Sequence, residues 1–530
     1  MFHCLAQHTM VKDLRTQAVE LKLHRLQKLQ AGAWDLTHVQ PFFPSLEQLF
    51  KTEKLSAMSD YGIKLPEEIE SVTDAAHIKT TKGQTLEVHR KTTMILSPFK
   101  TMKGEYSALG LPKPSETAKG YMEQMQSPHT AAYVGALAST VLSECQHFPR
   151  VYGVYAALAS KHEINISDDY EDLCDRKWFV DNIGKTFELR LRSEGGDVFT
   201  HTRSQRIAVQ VGEEVELDAE DIEAEHVDDP VTGSVVEEYD IPSDSEGTED
   251  SESEDEDVFD IQSCACSDGT EEDDEEEDEE DFAWATFTGV PVVTTVMEKC
   301  AGTFYDLLKT SDDQEKQTAW VAQIVFALAY AQRMFGFIHN DLHGNNVMYV
   351  PTTDEYVFYR HHGVTYRVPT YGVLIKIIDF DRSAFSVRLT GMKEPRFFLS
   401  SHFKHDEEAA GQYNIEPYYS STVPRIALNP SFDLARFASS VFWDIFPNGP
   451  KQETNHPLFE MFKQWTTLPD GSSVIFRKKG DNHDRYHGFD LYKAITRYLK
   501  ESAVPRKELA KFTQYVASVP PTVAVLVIAD

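Results

Sequence analysis

The sequence predicts a mixed α+β chain in two ordered parts joined through an acidic insert, and three observations carry that expectation. Residues 77–97 read as strand, turn, strand: Ile78-Lys79-Thr80-Thr81, a Lys82-Gly83 turn, then Leu86 to Leu96, rich in β-branched residues. After Ser311 the apolar residues Val321, Ile324, Val325, Leu328, Ala331 and Met334 recur at helical spacing, and Gly336 is the stop signal. Between these parts, Glu213 to Asp281 holds 35 Asp and Glu in 69 residues and no Lys or Arg. Such a run cannot bury enough apolar surface to offset chain entropy, so the sequence predicts disorder there.

The remaining elements follow in chain order. Val11, Leu14, Ala18 and Leu21 stand among Lys, Arg and Gln, which predicts an amphipathic helix over 11–30 and a helical extension over 1–59. Residues 129–144 read as a helix, and a short strand follows near Phe148 to Tyr155. Val292 to Met297 is a buried-strand run, and Ser311 with Gln314 reads as the capping box of the long helix.

Charge and composition narrow the function classes. The formal charge is −35, from 86 acidic and 51 basic residues. Outside 213–281, 51 acidic side chains face 51 basic ones, so the acidity belongs to one segment. A neutral remainder without a Lys/Arg tract excludes a strongly basic nucleic-acid binder. An acidic run of this kind is by default a solvated insertion, with a basic partner as the alternative. Within it Ser243, Ser251, Ser253 and Thr270 each have an acidic residue three positions on, a pattern for acidophilic phosphorylation. Six scattered cysteines do not make a disulfide framework, and Cys264 and Cys266 lack a second Cys or His pair for zinc. No apolar stretch reaches the ~18 residues of a membrane span. The N-terminus lacks the apolar region of a secretory signal, so the expectation is a soluble intracellular protein.

The chemistry sits directly after the long helix. Phe337-Ile338-His339-Asn340-Asp341-Leu342-His343-Gly344-Asn345-Asn346-Val347 runs from an apolar helix end through a polar cluster into a short strand. A second apolar run ends in Ile377-Ile378-Asp379-Phe380-Asp381. Asp341 could orient a hydroxyl and accept its proton. Asn346 and Asp379 offer hard oxygens, which suit Mg²⁺ held on a polyphosphate.

These two stretches resemble the protein-kinase-like folds. HNDLHGNN is similar to the catalytic loop H-x-D-x-x-x-x-N, and IIDFD to the metal-binding D-F-G, with Asp381 at the Gly position. Within that group the chain most resembles the divergent serine/threonine kinases of large nucleocytoplasmic DNA viruses, iridovirus-like or poxvirus-like, in N-D-L-H, in Tyr366 to Gly372 (YRVPTYG) and in I-D-F-D. The resemblance implies a two-lobed fold: a small lobe over 60–212 and 282–300, the insert 213–281 within it, and a large helical lobe over 301–530. It implies ATP and Mg²⁺, with a Ser/Thr hydroxyl of a protein as acceptor. A viral enzyme would work in the host cytoplasm or the virion. Asp341 and His343 would be catalytic, Asn346 and Asp379 metal ligands. Lys91 would steady the phosphates, with Arg90 as rival. Met297, Glu298 and Cys300 resemble the hinge that faces the adenine, and Asp433 the aspartate that braces the catalytic loop.

Departures accompany the resemblance. No G-x-G-x-x-G precedes the 77–97 hairpin, so the phosphate-covering turn falls to the Lys82-Gly83 region or to one near Gly62. The acidic partner of the lysine is missing from the obvious places on the 129–144 helix, with Glu123 or Glu144 as substitutes. Asn340 replaces the Arg of H-R-D, and no A-P-E follows. His339, Asp341, His343 and Asn346 also fit the H-x-D-x-H-x-x-N of aminoglycoside and choline kinases, which is the alternative reading. A pseudokinase scaffold is the third.

Overall fold

The computed structural model describes residues 18–106, 116–167, 169–192, 198–201 and 282–529, apart from 406, 420, 422–424, 448, 450–454, 477–484, 487 and 521. The acidic insert 213–281, Cys264 and Cys266 among it, and the first part of the expected N-terminal helix lie outside the described residues.

The described chain is a mixed α and β structure. An eight-stranded antiparallel sheet is built from β1 (Leu36–Gln40), β2 (Ile69–Val72), β3 (His77–Thr80), β4 (Thr85–Met94), β5 (Val151–Asn165), β6 (Glu188–Arg192), β7 (Val198–His201) and β8 (Ala283–Glu298). Strand β8 is its centre. One edge pairs with β5 from Trp284 to Met297. The other pairs first with β6, from Ala283 to Thr286, and then with β4, from Val292 to Glu298. Gly289 and Pro291 stand where β8 changes neighbour. The missing amide of Pro291 therefore costs no ladder bond to β4, and its carbonyl accepts from the Ile95 N–H at 3.0 Å. Val and Thr make up half of the strand because side chains branched at Cβ fit a pleated, buried surface.

Helix α1 (Ala131–Leu142) packs on this sheet with all twelve residues buried, and its Ala and Gly side chains allow that close approach. The turn between β3 and β4 is the expected one, with Gly83 at φ 78°.

The second part of the chain opens with β9 (Gly302–Thr303) and α2 (Phe304–Thr310). Helix α3 (Gln314–Phe335) ends where Gly336 takes φ 58° and returns its N–H to the Ala331 and Gln332 carbonyls. The capping box falls elsewhere than expected. Asp313 caps α3 by accepting from the Glu315 and Lys316 amides, while the reciprocal box belongs to α2, through Thr303 and Asp306.

Strands β10 (Val347–Pro351) and β11 (Val373–Ile377) pair antiparallel, and β9 pairs with β10. Helices α4 (Phe432–Ser440) and α5 (Gly488–Tyr498) complete the parts that reach the site. The large lobe expected over 301–530, mainly helical with two short strands, carries further strands as well. A hairpin, Tyr356–His361 with Val364–Pro369, lies between β10 and β11, and Ala384–Leu389 pairs with Arg396–Leu399. The hairpin turn is His362-Gly363, both at positive φ (47° and 76°), the twist that two-residue hairpins favour.

The helix over 11–30 is also corrected within its described part. Ala18–Val19 pairs in parallel with Arg388–Leu389, and Leu23–Arg25 pairs with Tyr61–Ile63. Val19, Leu21 and Leu23 all pack on the larger core. Their spacing of two is a strand period, and the residues available to bury them lie on neighbouring strands. The described part of the 1–59 extension is thus not mainly helical: it holds three strands, one short α-helix, Ser45–Leu49, and single 3-10 turns such as Gly32–Trp34 and Thr52–Lys54.

Candidate functional site

Helix α3 delivers the chain through Phe337 and Ile338, both buried, into the His339–Asn346 loop. Buried Asp433, on α4, holds that loop open: its two carboxylate oxygens accept from the His339 and Asn340 amides, each at 3.0 Å. Asn340 sits at φ 66°, a left-handed conformation that asparagine tolerates better than most residues. Its Nδ2 donates to the Arg382 carbonyl at 3.0 Å, and its Oδ1 accepts from the Tyr413 hydroxyl at 3.0 Å. The side chain standing where the resemblance has arginine is therefore internal bracing. His339 Nε2 lies 2.7 Å from the Ile378 carbonyl and ties the loop to the segment beyond β11.

That segment turns sharply. Phe380 is buried against Phe148, Phe337 and His339, and Asp379 takes φ 62°. A non-glycine residue held there is strained, and the packed Phe380 beside it supplies the constraint. Asp379 Oδ1 meets Lys91 Nζ at 2.5 Å, and Asp381 Oδ2 meets the same ammonium at 2.9 Å. Lys91 lies on the β4 face that looks toward these carboxylates. Its neighbour Arg90 points away, donating from Nε to the Ala75 carbonyl at 3.0 Å with its guanidinium 5.4 Å from the Trp34 ring. Adjacent strand residues face opposite sides, so only one of the two can reach.

A cavity of about 320 Å³ is walled by Asp341, His343, Asn346, Asp379 and Asp381, with Met348, Thr303 and Arg382 beside them. The structure thus brings Lys91, Asp341, His343, Asn346 and Asp379 together from three segments. It does not bring Met297, Glu298 or Cys300 into the walls of that cavity. Met297 is buried in β8. Glu298 commits its carboxylate to Lys376, 2.7 Å away, and its amide to the Arg150 carbonyl at 2.8 Å. Burial pushes the Cys300 thiol up to about 12.

Electrostatics set the protonation states. Burial works to raise the Asp341 carboxyl. Arg382, then His343, the Tyr492 hydroxyl and Arg436 outweigh it and hold it well below the usual range. Tyr492, on α5, donates to Asp341 Oδ1 at 2.5 Å, and Arg382 Nη1 lies 3.6 Å from Oδ2. Burial lowers His343 below its ordinary value, with Asp341 opposing. Neutral His343 can accept at Nε2, and Asn346 Nδ2 lies 3.1 Å from it and 2.9 Å from the Asp341 carbonyl. With its amide nitrogen used twice, Asn346 has Oδ1 left as the atom that could meet a cation. Burial lifts the Asp381 carboxyl and outweighs Lys91, whereas at Asp379 the Lys91 charge wins over burial and lowers the pKa.

The expected phosphate-covering turns need revision. A Cβ at Gly62 would stand 2.8 Å from Pro41 Cβ, so that glycine serves close packing. Lys82-Gly83 closes the end of the β3–β4 hairpin remote from Lys91, since Lys79 pairs with Thr85 and the Val88 N–H reaches the Ala76 carbonyl. The turn at the Lys91 end is Thr73–Ala76. Asp74 fastens it by accepting from the Ala76 and His77 amides at 2.9 and 2.8 Å. Glu123 and Glu144 make no described bond to Lys91; Asp379 and Asp381 do.

Sequence reasoning missed Tyr492, Arg382 and Arg436. Arg382 directly follows IIDFD, which was a usable signal. Tyr492 lies 151 residues from Asp341 and carried none. Tyr366 to Gly372 forms part of the 356–369 hairpin and the turn after it, and lies outside the cavity walls.

No family model matches the chain. A stretch of 75 residues is 33% identical to the uncharacterized protein ZK177.2 of Caenorhabditis elegans, covering 14% of this chain and 25% of that protein. The chain thus spans a quarter of the length of the curated relative it matches. No helix among the described residues is long and apolar enough to cross a membrane.

Proposed function

We propose that the chain is an ATP-dependent phosphotransferase of two-lobed, protein-kinase-like fold that transfers the γ-phosphate to Ser/Thr hydroxyls of a protein, in the manner of the viral kinases it resembles. The observation that carries the reading is the Lys91–Asp379 ion pair, joining residues 288 apart in the chain on a cavity whose walls also include Asp341 and Asn346. Phosphoryl transfer needs positioning and charge neutralisation more than covalent help, and this is the chemistry those side chains supply. Asp341, held ionised, orients the incoming hydroxyl and takes its proton. Tyr492 fixes one oxygen of that carboxylate. Lys91 steadies the phosphates.

The donor set fits Mg²⁺ held jointly with the nucleotide. Asn346 and Asp379 offer hard oxygens, and among the described residues no group of three or more His, Cys, Asp or Glu could hold a metal alone. When bound, the ion neutralises charge on the phosphate oxygens.

The test is radiolabelled ATP transfer to basic, acidic and neutral proteins, with wild type, Asp379→Ala and Asp341→Asn. Asp341→Asn should lower kcat by about 10²–10⁴-fold with ATP affinity near wild type. Asp379→Ala should also lose Mg-dependent nucleotide binding. Wild-type turnover in both variants would overturn the proposal. A second reading, transfer to a small alcohol or amino sugar, is favoured by the His343–Asn346 contact within H-x-D-x-H-x-x-N. Labelled small acceptors with unlabelled proteins would establish it instead.

A further inference from the structure

A lysine that grips phosphates must be aimed before they arrive, and a buried ammonium needs a fixed counter-charge. Helix α1, packed against this region, has the sequence AAYVGALASTVL and supplies no carboxylate. Instead it makes room for one. A Cβ added at Gly135 would stand 1.9 Å from Asp381 Oδ1, 3.1 Å from its Cγ and 3.3 Å from its Cα. The Asp381 carboxylate thus fills the space that any side chain at position 135 would take.

Asp381 is also held from the sheet. Thr93, two residues beyond Lys91 on the same face of β4, donates its hydroxyl to Asp381 Oδ2 at 3.1 Å. The same oxygen takes Lys91 Nζ at 2.9 Å. Asp381 is buried and lies in the cavity wall beside Asp379. Three independent features therefore converge on one carboxylate: the glycine gap in α1, the threonine, and the lysine.

We propose that Asp381 is the positioning residue for Lys91, taking over from the chain segment after β11 the role for which helix α1 has no acidic residue, and that Gly135 is bare because Asp381 occupies its side-chain space. This rests on the phosphotransferase reading for its meaning. With Asp379 engaged by a cation, Asp381 keeps Lys91 aimed. The anchor of the lysine then travels with the metal-ligand segment, two residues away, and not with a helix. Displacing α1 alone would not release Lys91.

Two variants test this from opposite sides, each with a readout that needs no catalysis. Asp381→Asn keeps the shape and removes the charge. Gly135→Ala leaves Asp381 intact but pushes its carboxylate aside; on helix propensity alone it would stabilise α1. The readouts are the ATP KM and kcat, and the acylation rate of Lys91 by acetic anhydride in nucleotide-free protein, followed by mass spectrometry. Thermal unfolding checks that each variant is folded. Both variants should raise the Lys91 acylation rate severalfold, because each loosens one of the two carboxylates that hold the ammonium. Both should raise the ATP KM more than they lower kcat.

If wild type transfers phosphate and both folded variants match it in KM and in Lys91 acylation, the Asp381 assignment is overturned and the phosphotransferase reading survives. If no protein transfers phosphate but Lys91 acylation rises in both variants, the reading of the activity fails and the Asp381–Lys91 assignment stands. Should Asp381→Asn not fold, Gly135→Ala decides alone, and wild-type acylation there would refute the inference.

Discussion

At the scale of single residues, the choice between Lys91 and Arg90 decides what β4 presents to Asp379 and Asp381. Lys91→Met should lower activity by at least ~100-fold, the usual consequence of losing a cation on transferring phosphates. Arg90→Met should retain most of it, because Arg90 braces the Thr73–Ala76 turn from the other face. Steady-state kinetics on both variants check this, and the reverse ranking would mean that the strand faces are exchanged. His343 sets a pH limit. Its pKa lies below the ordinary 6.5 because burial disfavours the charged ring. The ring is therefore neutral at pH 7, and the tautomer protonated at Nδ1 accepts from Asn346 at Nε2. As pH falls through that lowered pKa, Nε2 gains a proton and stops accepting, and the Asn346 amide must turn, which would take Oδ1 from the Mg²⁺ of the proposed reaction. The kcat profile should be flat from pH 7 to 8 and fall on the acid side with an apparent pKa below about 6.5. Asp341 does not contribute to that limb, since its own carboxyl is held far lower. A profile of His343→Gln with the same acid limb as wild type would assign it to another group.

At the scale of elements, caps separate the sequence pattern from the structure. Ser311 with Gln314 satisfied the capping-box pattern, yet Asp313 accepts from the first amides of α3. Asp313→Ala should lower stability by about 1 kcal/mol, and Ser311→Ala by less, in urea unfolding of each variant. An equal or opposite order would return the cap to Ser311. The same ambiguity explains the N-terminal correction. Val19, Leu21 and Leu23 fit a strand period and Val11, Leu14, Ala18 and Leu21 a helical one. Local spacing alone could not choose between them. Pairing with Arg388–Leu389 and Tyr61–Ile63 did.

At the scale of the whole molecule, charge is segregated along the chain. Removing 213–281 takes away 35 acidic residues and leaves 51 of each sign. The shortened chain should keep its thermal unfolding transition, while its solubility falls to a minimum near neutral pH, where wild type stays soluble. Turbidity against pH, with calorimetry, measures both. Its kcat/KM on a neutral substrate should equal that of wild type at low and high salt. A rise on deletion, matched by salt activation of wild type alone, would make the insert an autoinhibitory element.

The sequence by itself determined the hairpin around Lys82-Gly83, the long helix closing at Gly336, and the two loops bearing Asp341, Asn346 and Asp379. Each is specified by residues close together in the chain: turn glycines, a helical apolar period, and polar clusters between apolar runs. Asp433 was also legible, within SFDLARF. Only the tertiary structure decided which carboxylates hold Lys91, because the partners lie 288 and 290 positions from it. The same holds for Tyr492 on Asp341, for the empty side-chain position at Gly135, and for the place of Glu298 outside the cavity. Those facts depend on which faces meet after folding, and a missing side chain leaves no mark in a local pattern until its neighbour is known.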